Sequence, residues 1–382
     1  MDFELTEEQK ILQSTVRSFA ENELAPVADE LDQKEEFPWE NFKGLAKLGI
    51  TGMILPAEYG GSDSGELSLN IAFEEIATAC ASTAHIMDSH LILCASPIYH
   101  FGNEEQRKRF LPPLAKGEKV GSYGLTEPGA GSDVSKMQLK AVRDGNDYIL
   151  NGQKTFISNG EVCETAIVFA SIPELEPRGI TAFVVEMGMP GFSKGKKFKK
   201  LGMRAATTAE LFFEDCRVPA ANRIGEEGKG LKIALSTLDR GRIGIAAQAV
   251  GIARAVLEKC AKYSQERIQY GAPISKNQAV SFKMADMATE IEAARFLYCN
   301  AAYRADKGEA FSTNAAMAKV YASELAMRAA TWGIQIFGGY GYMMEYPMQR
   351  FFRDAKVTEI YEGTSEVQRI IISRDVLGKY SG

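Results

Sequence analysis

The chain has 382 residues, 45% of them hydrophobic and 25% charged, with a formal net charge of −6. This length is too great for one compact core and predicts two or three domains, while the acidic balance argues against nucleic acid as the main partner. No apolar run reaches the ~18 residues of a membrane span, and the acidic start (Asp2, Glu4, Glu7, Glu8) lacks the basic and apolar regions of a signal peptide. Cys80, Cys94, Cys163, Cys216, Cys260 and Cys299 are scattered without a CxxC pair. Neither a metal site nor a disulfide framework is expected, and reduced thiols in a cytoplasmic setting fit best.

Thr6 to Leu24 reads as an amphipathic helix, opened by capping-box spacing between Thr6 and Gln9 and carrying Ile11, Leu12, Val16, Phe19 and Ala20 on one face. Further helices fit Pro38 to Leu48, stopped by Gly49, then Leu67 to Ala79, and Glu104 to Leu114. Between the last two, Ser82 to Phe101 is apolar with polar interruptions at His85, Asp88, Ser89, His90 and His100. Residues 1–118 are therefore expected to form an all-α domain of five or six helices. The pattern then changes. Tyr148–Leu150, Thr165–Ala170, Ile180–Val185 and Glu210–Phe213 are short β-type runs separated by glycine and proline, which predicts an antiparallel barrel or sandwich over residues 119–226. Helical pattern returns in Leu231 to Gln265, Gln278 to Lys307 and Asn314 to Phe337, so residues 227–382 are expected to form a C-terminal four-helix bundle. The fold class is thus α+β and multidomain, in the order α, β, α, with no internal repeat.

Two stretches collect chemistry. Tyr123-Gly-Leu-Thr-Glu-Pro-Gly-Ala-Gly-Ser-Asp133 has glycines that let a backbone approach a phosphate, and hydroxyls at Thr126 and Ser132. It is neither a Walker loop nor a Rossmann fingerprint. An anion-binding turn and a simple tight turn both fit it. Near the C-terminus, Glu362 precedes Gly363, and Thr364 or Ser365 can cap the helix that follows, with capping-box spacing from Ser365 to Gln368. A carboxylate held there against an apolar pocket would have its pKa raised by desolvation and become a useful base, and burial outweighs the opposing helix dipole if the pocket is dry. An ordinary acidic loop residue is the other reading.

The glycine-rich segment is followed by Lys154-Thr-Phe-Ile-Ser-Asn-Gly160, Leu238-Asp-Arg-Gly-Arg242, Gln335-Ile-Phe-Gly-Gly-Tyr-Gly341, Arg353-Asp-Ala-Lys356 and Tyr361-Glu-Gly-Thr364. In this order, over essentially the whole chain, these motifs resemble the acyl-CoA dehydrogenase family, and most of all its short-chain, butyryl-CoA type. The resemblance implies FAD. Tyr123, Leu125 and Thr126 would face the flavin ring, Ser132 would lie near the pyrophosphate or CoA, and Phe156 and Ser158 would lie on the ring's other side. Arg267, Gln278, Gln335, Phe337, Gly338 and Gly339 would reach an adenine half, partly across a subunit boundary in a homotetramer, and Thr364 and Glu366 would complete the site. Glu362 would remove the α-proton of an acyl-CoA while hydride passes to the flavin. The thioester carbonyl would be held by the backbone amide of that glutamate and a ribityl hydroxyl. Gly363, Asp239 and Arg242 would stand on the substrate side. An electron-transferring flavoprotein would accept the electrons. An enoyl-CoA reductase running the same chemistry in reverse, and a non-catalytic acyl-CoA-binding protein, are the alternatives.

This chain departs from the family at Phe156, where tryptophan is usual, and at Asp88, where neutral residues are usual. A buried Asp88 needs a partner, for which His85 and Ser89 are candidates. Asp88 is expected as a satisfied or solvent-facing helix residue, as a contact to a distal polar or alicyclic acyl group, or as a second base on a carbon away from the thioester. Lys194, Lys196, Lys197, Lys199 and Lys200 read as a solvated loop, or as an attraction for CoA phosphates.

Overall fold

The computed structural model describes residues 4–175, 177 and 179–380. Seven α-helices come first: α1 (Glu7–Phe19), α2 (Ala28–Lys34), α3 (Trp39–Lys47), α4 (Gly65–Ala79), α5 (Ala81–Met87), α6 (Ser96–Phe101) and α7 (Glu104–Ala115). The predicted cap forms in full. Thr6 Oγ accepts from the Gln9 amide, and the Gln9 side chain accepts from the Thr6 amide. The buried face of α1 starts a turn later than expected, because Val16 and Ala20 are buried while Ile11 is 64% exposed. The short, charged α2 has no apolar period and was not anticipated. Between α5 and α6 the helix widens into π geometry over Asp88–Ala95, and the backbone from Ala81 to Ile98 is buried throughout. The polar residues of this stretch therefore lie inside the protein, where every one needs an account.

The β region holds β1 (Gly121–Gly124), β2 (Lys140–Asp144), β3 (Asp147–Ser158), β4 (Thr165–Ser171), β5 (Ile180–Glu186), β6 (Phe192–Lys197), β7 (Thr208–Pro219) and β8 (Arg223–Ile224). They pair in the order β6-β7-β3-β2-β4-β5-β8, with β1 alongside β4. Most pairings are antiparallel, but β1 runs parallel to β4, and β2 meets β4 in parallel at Lys140 and Ser171. The sheet curls around its own core, with Phe192 and Phe213 of one end and Phe183 and Val185 of the other in one cluster. No pairing among the described residues joins β6 to β8, so of the barrel and the sandwich expected, the sheet takes an open, sandwich-like curl. The lysines Lys194, Lys196 and Lys197 lie on edge strand β6, not in a loop. Charges there suit an unpaired edge.

Strands β4 and β5 explain how the layers join. Ala166, Val168, Phe183 and Val185 face the β core, while Ile167, Phe169, Ala182 and Val184 face the helical core. Such strands are buried on both sides, which is why they read as unbroken apolar runs.

The C-terminal region contains α8 (Gly230–Glu266), α9 (Gln278–Asp306), α10 (Ser312–Phe337), α11 (Met348–Thr358) and α12 (Ser365–Gly378). Helix α8 crosses α4 so closely that a Cβ on Gly251 would lie 2.4 Å from the Glu74 carbonyl oxygen. At the same crossing Arg254 of α8 donates to Glu74 (2.7 Å) and Glu75 (2.9 Å) of α4. Arg295 and Tyr298 of α9 also reach Glu74, and Arg17 of α1 reaches Glu75. Buried carboxylates in such a cluster depend on their counter-charges. Arg254→Met is expected to destabilise the fold by roughly 3 kcal/mol, read as a lower urea midpoint with an unchanged slope.

Candidate active site

The turn between α11 and α12 is bent by two residues in left-handed backbone conformation, Glu362 at φ +53° and Gly363 at φ +93°. Glycine adopts this freely, whereas a glutamate held there stores strain that its surroundings must over-determine. They do so through the carbonyls. The Glu362 carbonyl accepts from Arg242 Nε and from Gln368 Nε2, both at 3.3 Å. The Gly363 carbonyl accepts from Lys319 Nζ at 2.8 Å and from Gln368 Nε2 at 2.7 Å. Thr364 is the N-cap of α12 and accepts from the Val367 amide. The capping box at Ser365 does not form: Gln368 is drawn back to the two carbonyls, and Ser365 Oγ is buried without a partner.

With its backbone so fixed, Glu362 points its carboxyl into α8. A Cβ on Gly241 would sit 2.0 Å from Glu362 Oε2, so only glycine leaves room. Both carboxyl oxygens are buried without a hydrogen-bond donor. Burial raises the pKa, opposed by the neighbouring Asp88 carboxyl and by the charges of Lys319 and Arg242. Lys319 is fully buried on α10, and burial pulls its own pKa down to about 8. Arg242 is fixed by Asp239, which also accepts from Ser312 Oγ at 2.9 Å. These are the features of a base held out of water.

The carboxyl borders a cavity of about 750 Å³ where β1, β3, α5, α8 and α11 converge. Its lining includes Tyr123, Leu125, Thr126, Ser132, Phe156, Ser158, Arg242, Glu362, Gly363 and Thr364, so most of the residues anticipated from sequence meet on one wall system. Phe156 has φ +57° and leaves its ring 65% exposed toward this space. With Met203 and Glu362 it makes three of the eight positive-φ non-glycine residues among the described residues that line this one cavity. Such clustering of strain marks functional sites. The glycine-rich loop is stapled from beneath by the fully buried Lys154, whose Nζ donates to Glu127 (2.7 Å) and to the Leu125 carbonyl (3.1 Å).

Arg267, Phe337, Gly338 and Gly339 line a separate cavity of about 550 Å³. Gln278, Gln335, Glu366 and Asp239 line neither, and the first three are solvent-exposed. Asp88 is 1% exposed, which overturns the expectation of a solvent-facing or satisfied residue. Neither anticipated partner serves it: His85 Nε2 is 2.7 Å from Ser158 Oγ, and Ser89 Oγ has no partner. Nor does Asp88 line the main cavity.

Sequence reasoning missed Lys319, Gln368, Gly244 and the Tyr361–Gln248 hydrogen bond (2.5 Å). A lysine inside the small-residue run of α10 was the one available signal, since a buried ammonium demands acceptors.

Models of the N-terminal, middle and C-terminal domains of the acyl-CoA dehydrogenase family match residues 6–118, 122–216 and 228–377. A short-chain specific acyl-CoA dehydrogenase of Clostridium acetobutylicum is 50% identical, over 98% of this chain and 99% of its own. The solved structure of butyryl-CoA dehydrogenase from Megasphaera elsdenii has a TM-score of 0.97 at 48% identity, covering 99% of this chain and 100% of that one. A chain in a structure described as "Electron transferring flavoprotein of Acidaminococcus fermentans: Towards a mechanism of flavin-based electron bifurcation" also reaches 0.97, at 49% identity, with coverage of 99% and 100%.

Gly241→Ala should separate the site from the fold. The added methyl would displace the nearest flexible atom, the Glu362 carboxyl, while the helix itself gains propensity. Turnover is expected to fall by about 10²-fold with no loss of thermal stability, checked by steady-state assay and a melting curve.

Proposed function

The chain belongs to the acyl-CoA dehydrogenase family, whose members are FAD-dependent oxidoreductases, and on that premise we propose that Glu362 accepts the α-proton of a compact acyl-CoA thioester, short-chain or alicyclic. The observation that carries the reading is the Glu362 carboxyl itself: buried, donor-poor, raised in pKa by desolvation and set at the wall of the main cavity.

The residues present fit the cofactor. The cavity combines a flat exposed Phe156 ring, hydroxyls at Thr126, Ser132, Ser158 and Thr364, and a glycine at 131 beside which a Cβ would meet nothing within 4 Å. Tyr123, Leu125, Thr126, Ser132, Phe156, Ser158 and Thr364 would hold the flavin half. FAD, when bound, supplies the acceptor for the hydride equivalent lost from the β-carbon. Phenylalanine at 156 offers stacking area without an indole N–H.

This chain's own groups do the rest. Lys154 and Glu127 hold the glycine-rich loop in place. Arg242, Lys319 and Gln368 lock the turn that aims Glu362, so its carboxylate meets the substrate without reorganising. Burial keeps water off the base and lifts its proton affinity toward that needed for a weakly acidic C–H. Arg242 and Lys319 supply positive charge near the carboxylate, which offsets part of the rise caused by burial.

Two further elements of the reading concern partners. The second cavity, with Arg267 over the Tyr340 ring and Phe337 stacked on Tyr263, supports an adenine site completed by another copy. Exposed Phe282, Tyr303, Ile370 and Leu377 on α9, the end of α9 and α12 support assembly through the bundle into a homotetramer. Electron-transferring flavoprotein is the proposed electron acceptor. No helix among the described residues is long and apolar enough to cross a membrane.

The test uses holoenzyme. Butyryl-CoA, or a cyclic acyl-CoA from a panel of thioesters, should bleach the flavin band. Glu362→Gln should keep FAD and bind the same thioester while the bleaching rate drops about 10²- to 10⁴-fold. Bleaching at the wild-type rate in that variant would remove Glu362 from its role.

A further inference from the structure

Asp88 opens the π-helical segment Asp88–Ala95, and its carboxyl faces α8 one turn along from that of Glu362. A Cβ on Gly244 would lie 2.3 Å from Asp88 Oδ1, just as one on Gly241 would lie 2.0 Å from Glu362 Oε2. Two glycines three residues apart on one helix face thus make room for two carboxyls. Positions three apart on a helix bring their Cβ sites to about 5–6 Å, so the two carboxyls fill neighbouring gaps on α8. None of their four buried oxygens receives a hydrogen bond.

Two adjacent carboxylates in a dry site cannot both be ionised, because neither water nor a donor offsets their repulsion. We infer that Asp88 and Glu362 form a hydrogen-bonded carboxyl pair sharing one proton, in which Asp88 is the positioning residue that donates to Glu362 and keeps it ionised. This rests on Glu362 being the α-proton acceptor. Asp88 is the member that keeps the proton, because burial and the neighbouring Glu362 and Glu66 charges push its pKa well up, while Lys319 and Arg242 favour the charge on Glu362. Other groups facing the pair are Tyr123 of β1 and Tyr361 of the turn, both raised by burial and therefore neutral. His85 of α5, packed at a tilt against Tyr361, is held neutral by burial, its pKa pushed down to about 3. None of these three groups supplies a cation to neutralise a second carboxylate.

The role follows from charge balance. In the resting site the pair holds one proton and one negative charge. When the substrate α C–H bond breaks, its proton forms an O–H bond on Glu362, and the pair becomes neutral with two protons. One proton must leave before the next turnover. Asp88 thus counters the effect of burial on the base: without its donor, Glu362 would hold its proton to a higher pH and be unready at neutrality.

The pH dependence of kcat/KM in holoenzyme tests this. Asp88→Ala removes the proposed donor to the Glu362 carboxylate, so the acid limb should move up by about one to two pH units, with activity recovered at alkaline pH. Asp88→Asn keeps an N–H donor and should return the limb to within about half a unit of wild type. A limb that stays put, or moves down, in Asp88→Ala overturns the pair. Infrared difference spectra of wild type against Asp88→Asn at neutral pH give a second reading, independent of activity. A protonated-carboxyl band present only in wild type is expected, and its absence overturns the proposal. If Glu362→Gln turned over at the wild-type rate, the base assignment would fall, while the infrared band would still decide whether the pair exists.

Discussion

The arrangement depends on a backbone constraint more than on any side-chain contact. Two carbonyls, those of Glu362 and Gly363, are gripped by Arg242 from α8, Lys319 from α10 and Gln368 from α12. That grip holds a glutamate in left-handed conformation, which an isolated chain would avoid. The strain is offset by charge-assisted bonds from buried cations, which are stronger than neutral ones. The result is a carboxyl whose direction is decided by its main chain and whose space is decided by a missing Cβ on Gly241.

The long helix α8 connects this site to the rest of the molecule. Its glycines at 241, 244 and 251 permit three close approaches: to Glu362, to Asp88 and to the backbone of α4. Arg254 then fastens the α4 crossing through Glu74 and Glu75. A shift of α8 along its axis would disturb both carboxyls at once. The β region is joined to the same frame by β4 and β5, whose alternate residues belong to two different cores. The cavity lies where helical and β layers meet, the usual place for a site built from several elements.

Electrostatics in the cavity follow from dryness. Burial raises the carboxyls of Asp88 and Glu362 and lowers Lys319 and Lys200 to about 8, so groups of both signs are drawn toward neutrality. Small rearrangements of protons among them then have large consequences for reactivity. The π-helical segment that Asp88 opens is buried along its whole length, its polar residues included.

Much of this was legible in the sequence. The order of helical and β regions follows from apolar period, the Thr6 cap from its spacing with Gln9, and the proposal of Glu362 as the base from the Tyr361–Thr364 motif and its companions. These are local properties, or ordered combinations of them, and a linear chain carries them. The neighbour of Glu362 could not be read in this way. Asp88 and Glu362 are 274 positions apart in numbering (362 minus 88), and the glycines that admit them lie on a third segment. Likewise Gln368 has the spacing of a cap yet bonds two carbonyls, and the acceptor of the buried Lys319 lies on a distant turn. Each outcome depends on which donors and acceptors remain once distant helices have packed and water has been excluded, and only the tertiary structure decides that.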